Sequence, residues 1–213
     1  MHLDVEKSCL RGSVAIPGSK SHTIRAVALA SLAEGESTIR QPLQSLDTEA
    51  AVRAYGAFGA RIDMVDPECW RIRGLAGKPQ TPNQVIDVAN SGTTLYIALA
   101  AAALVSDGTT VLTGDDQIRR RPADGLIGAL NSLGAEVFST RGGGLCPLVA
   151  RGPLQGGTAS IDAVTSQWVT AILLNAPFAG GDTTLEVPLL NEAPYVRMTL
   201  DWLEQCGLSV RYK

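Results

Sequence analysis

Three stretches of this chain follow one plan at one spacing, and that repeat limits the fold more than any single motif. Apolar helices are predicted at Ser21–Ala33, Thr94–Ser106 and Gln167–Ala179. Each is followed by a small polar turn and a strand: Glu34-Gly35-Glu36-Ser37-Thr38-Ile39, Asp107-Gly108-Thr109-Thr110-Val111-Leu112 and Gly180-Gly181-Asp182-Thr183-Thr184-Leu185. Gly35, Gly108 and Gly181 stand 73 residues apart at both steps. A second helix in each stretch stops at Phe58-Gly59-Ala60, Leu133-Gly134-Ala135 and Cys206-Gly207-Leu208, where the glycines are 75 and 73 apart. A glycine just past a helix, then an alternating strand, is a C-terminal stop. Two glycine series with nearly one spacing indicate a triplication whose period is too long for the common solenoids. The fold class that follows is α/β, with three modules around a pseudo-threefold axis.

The first helices are apolar nearly all round, Ala98–Ala103 most of all, so they belong inside with the sheets outside. The second helices carry helical-period core positions (Leu126, Ile127, Leu130, Leu133; Val196, Leu200, Leu203). Asp47 is placed as an N-cap, and Pro122 and Pro194 in first turns. A short strand at Val14–Ile16 precedes the first helix. Each module should close with a hairpin: Arg61–Val65 with Trp70–Arg73, Glu136–Ser139 with Leu148–Arg151, and a strand at Leu208–Tyr212 whose return is missing. A bare strand edge is a liability, so the chain is expected to be a piece of something longer.

The repeat aligns three helix starts rich in hydroxyl or amide groups: Gly18-Ser19-Lys20-Ser21-His22-Thr23-Ile24-Arg25, Asn90-Ser91-Gly92-Thr93-Thr94 and Ala163-Val164-Thr165-Ser166-Gln167. Helix N-termini favour anions through their exposed N–H groups and dipole. Lys20 and Arg25 add full charge, and Arg119-Arg120-Arg121-Pro122 is a second cationic element aimed at the same end. The plain alternative is three capped helices with solvated charges. His22 reads as a neighbour of the site rather than a catalyst.

Several classes are excluded. A net charge of −3 argues against a general nucleic-acid binder. Leu95–Val105 is about half of the roughly 20 residues a membrane span needs, and Met1–Lys7 has no apolar signal core. Cys9, Cys69, Cys146 and Cys206 are scattered without a C-x-x-C pair and accompany two histidines, which argues against zinc and fits free thiols in a reducing cytoplasm. No phosphate loop, dinucleotide fingerprint or nucleophile elbow is present.

The strings PGSKSHTIRA (17–26), NSGTT (90–94), RRRP (119–122) before a helix ending in LGA (133–135), TSQ (165–167) and APYVRMTL (193–200) resemble the 5-enolpyruvylshikimate-3-phosphate synthase family of enolpyruvyl transferases. The resemblance runs through the whole chain but covers about half the family's usual length, its N-terminal half. It implies one lobe of a two-lobed fold, each lobe of three βαβαββ units. Residues 1–18 would belong to the other lobe and 19–213 form the N-terminal lobe, with repeats at about 14–86, 87–158 and an incomplete 159–213. It implies a transferase of the shikimate pathway, leading to chorismate and the aromatic amino acids and targeted by glyphosate. Such an enzyme moves the enolpyruvyl group of phosphoenolpyruvate to the 5-hydroxyl of shikimate-3-phosphate by addition and elimination, without metal or organic cofactor. By the same resemblance Lys20, Ser21, Arg25, Thr165, Ser166, Gln167 and Tyr195 would bind shikimate-3-phosphate, and Lys20, Gly92, Arg121 and Gln167 phosphoenolpyruvate.

The chain departs from the family pattern in four ways. Tyr96 stands where an arginine is common, removing a positive charge near the site. Glu192 replaces a common phosphate-binding serine and is expected to point away or bind a cation. Thr165 replaces a serine but keeps the hydroxyl. The acid/base residues and two further arginines belong to the missing C-terminal lobe, so this chain alone is expected to bind weakly without turnover. A non-catalytic anion-binding lobe is the alternative from another class. A UDP-N-acetylglucosamine enolpyruvyl transferase is a weaker rival, because Asp116 stands where that enzyme has a reactive cysteine.

Overall fold

The structure, a computed structural model, describes residues 2–212; Met1 and Lys213, the outer ends of the two expected segments, lie outside the described residues. The first module contains α1 (Lys20–Leu32), β1 (Glu36–Arg40), α2 (Leu46–Ala57), β2 (Arg61–Asp66) and β3 (Cys69–Arg73). The second contains β4 (Ile86–Asp87), α3 (Gly92–Ala102), β5 (Thr110–Thr113), a 3-10 turn at Ile118–Arg120, α4 (Asp124–Ser132), β6 (Glu136–Ser139) and β7 (Leu148–Arg151). The third contains β8 (Gly157–Ser160), α5 (Ser166–Asn175), a 3-10 turn at Ala176–Phe178, β9 (Thr183–Glu186) and α6 (Ala193–Gln205).

The sheets repeat one topology. The complete version is the order β4-β5-β7-β6, with β4 parallel to β5 and the remaining pairs antiparallel. The first module shows its antiparallel part, β1-β3-β2, and the third its parallel part, β8-β9. Parallel pairing joins strands separated by a helix, and the antiparallel hairpin closes each unit.

Helices α1, α3 and α5 pack on one another inside these sheets. Every residue of α3 except Thr93 is buried, as is every residue of α1 from Thr23 to Leu32. Alanines in α1 and α3 let the backbones approach, and the largely apolar surface of the three helices leaves no face suited to water. Thr23, Arg25, Ser31, Thr170 and Asn175 are among the buried polar exceptions. By contrast α6 buries only Val196, Thr199, Leu200 and Leu203, one face at helical spacing. In α4 the expected core holds at Leu126 and Leu130 and continues at Leu133, whereas Ile127 is only partly buried.

The helix stops are as predicted: Gly59, Gly134 and Gly207 take φ of +102°, +95° and +78°, a region that penalises any side chain. Several local expectations are corrected. The cap of α2 is Ser45, not Asp47. Ser45 is extended and forms a reciprocal capping box with Thr48, which puts Asp47 in the first turn. Pro122 lies before α4 rather than in its first turn, since Ala123 is the N-cap. The first helices end earlier than predicted, at Leu32, Ala102 and Asn175. Val14–Ile16 and Leu208–Tyr212 form no strand among the described residues, because a strand is defined by a hydrogen-bonded neighbour and neither has one. Residues 2–18 form neither helix nor strand, and Leu3, Val5, Leu10, Val14 and Ile16 are all strongly exposed.

One glycine fixes how β3 leaves its sheet. A Cβ on Gly74 would collide with Ala33 O and lie 2.6 Å from Ala30 O, both backbone atoms at the end of α1. Gly74→Ala is therefore expected to destabilise the chain by about 3 kcal/mol, read as a lower urea midpoint; an unchanged midpoint would show that the α1 end can move aside.

Candidate functional site

Two clusters of polar side chains meet at the first turn of α1. Ser19 caps that helix, accepting from His22 N. The next residue, Lys20, is half-exposed and lies 3.6 Å from the Asp47 carboxylate. The Asp47 carbonyl in turn accepts the Thr94 hydroxyl at 3.4 Å. This contact ties the start of α2 to the start of α3, whose cap Ser91 is buried and receives the Thr94 N–H. Asn90, just before that cap, donates to Asp115 Oδ2 at 2.5 Å. Asp115 Oδ1 accepts the N–H groups of Gln117 and Ile118 at 3.0 Å each, so the turn carrying the arginines is pinned beside α3. The Ile118 N–H first, and then the Asn90 amide, hold the Asp115 carboxyl below its usual range.

The three arginines have different fates. Arg119 is tied to Asp116 and to the Gly114 carbonyl. Arg120 and Arg121 make no ion pair among the described residues, and Arg121 Nη1 lies directly over Gly92. Tyr96 turns inward: it is 4% exposed, meets Trp168 edge to face at 6.2 Å, and donates its hydroxyl to Pro122 O at 3.0 Å. It therefore holds the backbone beside Arg121 from below while contributing no charge; burial pushes its phenol pKa up. A Cβ on Gly92 would lie 2.6 Å from Arg121 Nη1, the far end of a flexible side chain. Gly92→Ala should leave the melting temperature nearly unchanged but move Arg121 and weaken anion binding several-fold. Equal phosphate affinity in calorimetry would remove Gly92 and Arg121 from the site.

The second cluster is built on α5 and α6. Arg25 is 2% exposed. Its Nε donates to Thr199 Oγ1 (2.9 Å), Nη1 to Ser21 O (2.9 Å), and Nη2 to Thr170 Oγ1 (3.1 Å) and Tyr195 O (3.2 Å). No carboxylate pairs with it among the described residues, and burial lowers its pKa to about 10, so it stays cationic at neutral pH. It joins α1, α5 and α6, and its fork is turned to these internal acceptors rather than exposed. Tyr195 itself is 44% exposed. Thr165 caps α5 by accepting from Gln167 N, and both side chains are part-exposed. His22 Nδ1 accepts from Trp202 Nε1 at 2.9 Å, which fastens α1 to α6.

Glu192 reverses an expectation. Instead of pointing away, its Oε2 accepts from Ser166 N (3.2 Å), Ser166 Oγ (2.9 Å) and Thr165 Oγ1 (3.4 Å). The repulsion expected there concerns a bound phosphate; with α5's donors open, the carboxylate is the nearest anion and takes them. The residue adopts the left-handed region to do so, φ 57° and ψ 39°, a strain of about 1 kcal/mol.

The structure thus links Lys20, Gly92 and Arg121 through α3, and Ser21, Arg25, Thr165, Ser166 and Tyr195 through α5 and α6. Gln167 stands on the first turn of α5, its N–H on the Thr165 hydroxyl. Sequence reasoning missed Asp47 as the partner of Lys20 and Asp115 as the anchor of the arginine turn. Asp115 had a local signal, an aspartate two and three residues before the N–H groups it caps; Asp47 had none. Two surface grooves, of about 480 Å³ (Arg40, Gln41, Asp66, Glu68, Cys69) and 370 Å³ (Lys78–Thr81, Val105–Asp107), share no residue with this face. The described residues hold no group of His, Cys, Asp and Glu suited to a metal, and no helix long and apolar enough to cross a membrane.

The architecture is one lobe of the enolpyruvyl transferase fold, with polar helix starts gathered at one end. The fold likeness is direct: EPSP synthase from Acinetobacter baumannii superposes with a TM-score of 0.83 over 95% of this chain and 46% of that one, at 24% identity. Residues 5–213 match the family described as EPSP synthase (3-phosphoshikimate 1-carboxyvinyltransferase), and the chain belongs to that family. The chain is 51% identical over 209 residues to the 3-phosphoshikimate 1-carboxyvinyltransferase of Acetivibrio thermocellus and 49% identical to that of Ruminiclostridium cellulolyticum. Each alignment takes in 98% of this chain, which spans about half (49%) of the length of these curated relatives.

Proposed function

We propose that the chain is the N-terminal lobe of a cytoplasmic EPSP synthase, receiving shikimate-3-phosphate and phosphoenolpyruvate on the face built by the helix starts. The carrying observation is that α1's first turn adjoins both clusters. Lys20 reaches the Asp47–Thr94 side, and Arg25, which also holds the Ser21 carbonyl, reaches the Thr170–Tyr195 side. On this reading Ser21, Arg25, Thr165, Ser166, Gln167 and Tyr195 seat shikimate-3-phosphate. Gly92 and Arg121 seat phosphoenolpyruvate, with Lys20 and Gln167 between the two.

In the reaction the 5-hydroxyl gives up its proton as its oxygen bonds to C2 of phosphoenolpyruvate, while C3 gains a proton. Then the C2–O bond to phosphate breaks and C3 returns a proton. The groups named here carry no proton in these steps. They orient two polyanions and stabilise the charge that moves onto the departing phosphate, which donors fixed in advance do well. Proton transfer falls to a second lobe, the partner this reading requires.

Calorimetric titration of shikimate-3-phosphate tests the reading. Weak, saturable binding to this chain is expected, without phosphate release when phosphoenolpyruvate is added. Binding to the full-length Acetivibrio thermocellus relative but none to this chain would overturn the claim that this lobe seats the substrate by itself.

A further inference from the structure

The donors at the start of α5 already hold an anion, and it belongs to the chain. One oxygen of Glu192 collects a backbone N–H and two hydroxyls, the set a phosphate oxygen receives at a helix start. Ser166 is 1% exposed, so this oxygen covers its hydroxyl. The segment bearing Glu192 is anchored on both sides. Asn191 N donates to Ala163 O at 3.0 Å and Asn191 Nδ2 to Val164 O at 3.2 Å, and Tyr195 N returns to Glu192 O at 3.0 Å. The glutamate side chain is exposed, and no lysine or arginine pairs with it among the described residues. It can therefore rotate into water without moving the backbone, and only the α5 donors hold it in place.

We propose that Glu192 is a tethered competitor for the Thr165–Ser166 cradle: it fills the cradle in the ligand-free chain and must swing out before a phosphate group enters. This rests on the substrate reading above for the identity of the ligand and adds a control on that site. The donors serve one anion at a time, and a carboxylate left beside a bound phosphate is repelled. The glutamate thus lowers affinity for every anion and keeps the cradle closed to weak ones, while a dianionic phosphate ester displaces it.

The test is titration of inorganic phosphate and of shikimate-3-phosphate into the chain and into its E192S and E192Q variants, with circular dichroism to verify folding. E192S should bind both ligands about tenfold more tightly than the unaltered chain, and E192Q, which keeps the size and loses the charge, should also gain. Should E192S not fold, the E192Q titration decides the matter in the same way. Unchanged or weaker phosphate binding by a folded variant, or none at all, overturns the proposal. If inorganic phosphate binding gains but shikimate-3-phosphate binds none of the three proteins, Glu192 acts as proposed and the substrate reading fails. If shikimate-3-phosphate binds all three alike, the substrate reading stands and the role of Glu192 is refuted.

Discussion

Arg25→Ala is expected to lower the stability of the chain by about 3 kcal/mol, even though the residue removed is a buried cation without a carboxylate partner. The guanidinium donates to Thr199, Thr170, Ser21 O and Tyr195 O from a position 2% exposed. Truncation leaves a cavity among three helices and strands acceptors in it. Two effects hold the cost below the sum of those losses. Thr170 and Thr199 still bond each other at 3.0 Å, and Thr199 still donates to Tyr195 O at 2.9 Å. The desolvation that lowers the arginine pKa is also relieved. In urea the midpoint should fall by about 1 M. Arg25→Lys should recover little, because one ammonium cannot span acceptors on three helices. An unchanged midpoint would mean that the guanidinium does not join α1, α5 and α6.

Lys20→Met is the converse case, with a small effect on folding and a large one on chemistry. The pair with Asp47, at 3.6 Å and with 49% and 32% of the two side chains exposed, is worth about 0–1 kcal/mol, so the melting temperature should hardly move. In a chain paired with a complementary lobe, removing the cation proposed to face both substrates should lower turnover by about 10²–10³. A variant that keeps more than a tenth of the rate would show that Lys20 is a surface charge and that the site lies elsewhere.

What was legible in the sequence was local chemistry repeated three times. The hydroxyl-rich helix starts, whose caps prove to be Ser19, Ser91 and Thr165, and the stops at Gly59, Gly134 and Gly207 act within one helical turn, so their spacing survives in the linear chain. The apolar first helices announced the buried trio, but the burial of Arg25 within it was not read, because its four partners lie on three helices far apart in the chain. The illegible parts depend on contacts far apart in the chain. Asp47 looked like a cap because aspartates cap helices. The backbone at Ser45 chose otherwise and left the carboxylate for Lys20, 27 residues earlier. Tyr96 read as a lost charge, yet its hydroxyl supports Pro122, 26 residues later. Glu192 was misjudged because its direction is set by donors at Thr165 and Ser166 and by a left-handed backbone, neither visible in composition or period.

As the proposed substrate-receiving lobe of an EPSP synthase, this chain needs a second lobe for turnover. The decisive experiment mixes the folded chain with the complementary half of the Acetivibrio thermocellus relative and measures phosphate released from phosphoenolpyruvate in the presence of shikimate-3-phosphate. Release from the mixture is expected, and none from either half alone. A well-folded, associated pair that releases no phosphate would contradict the proposal, as would release by this chain unaided.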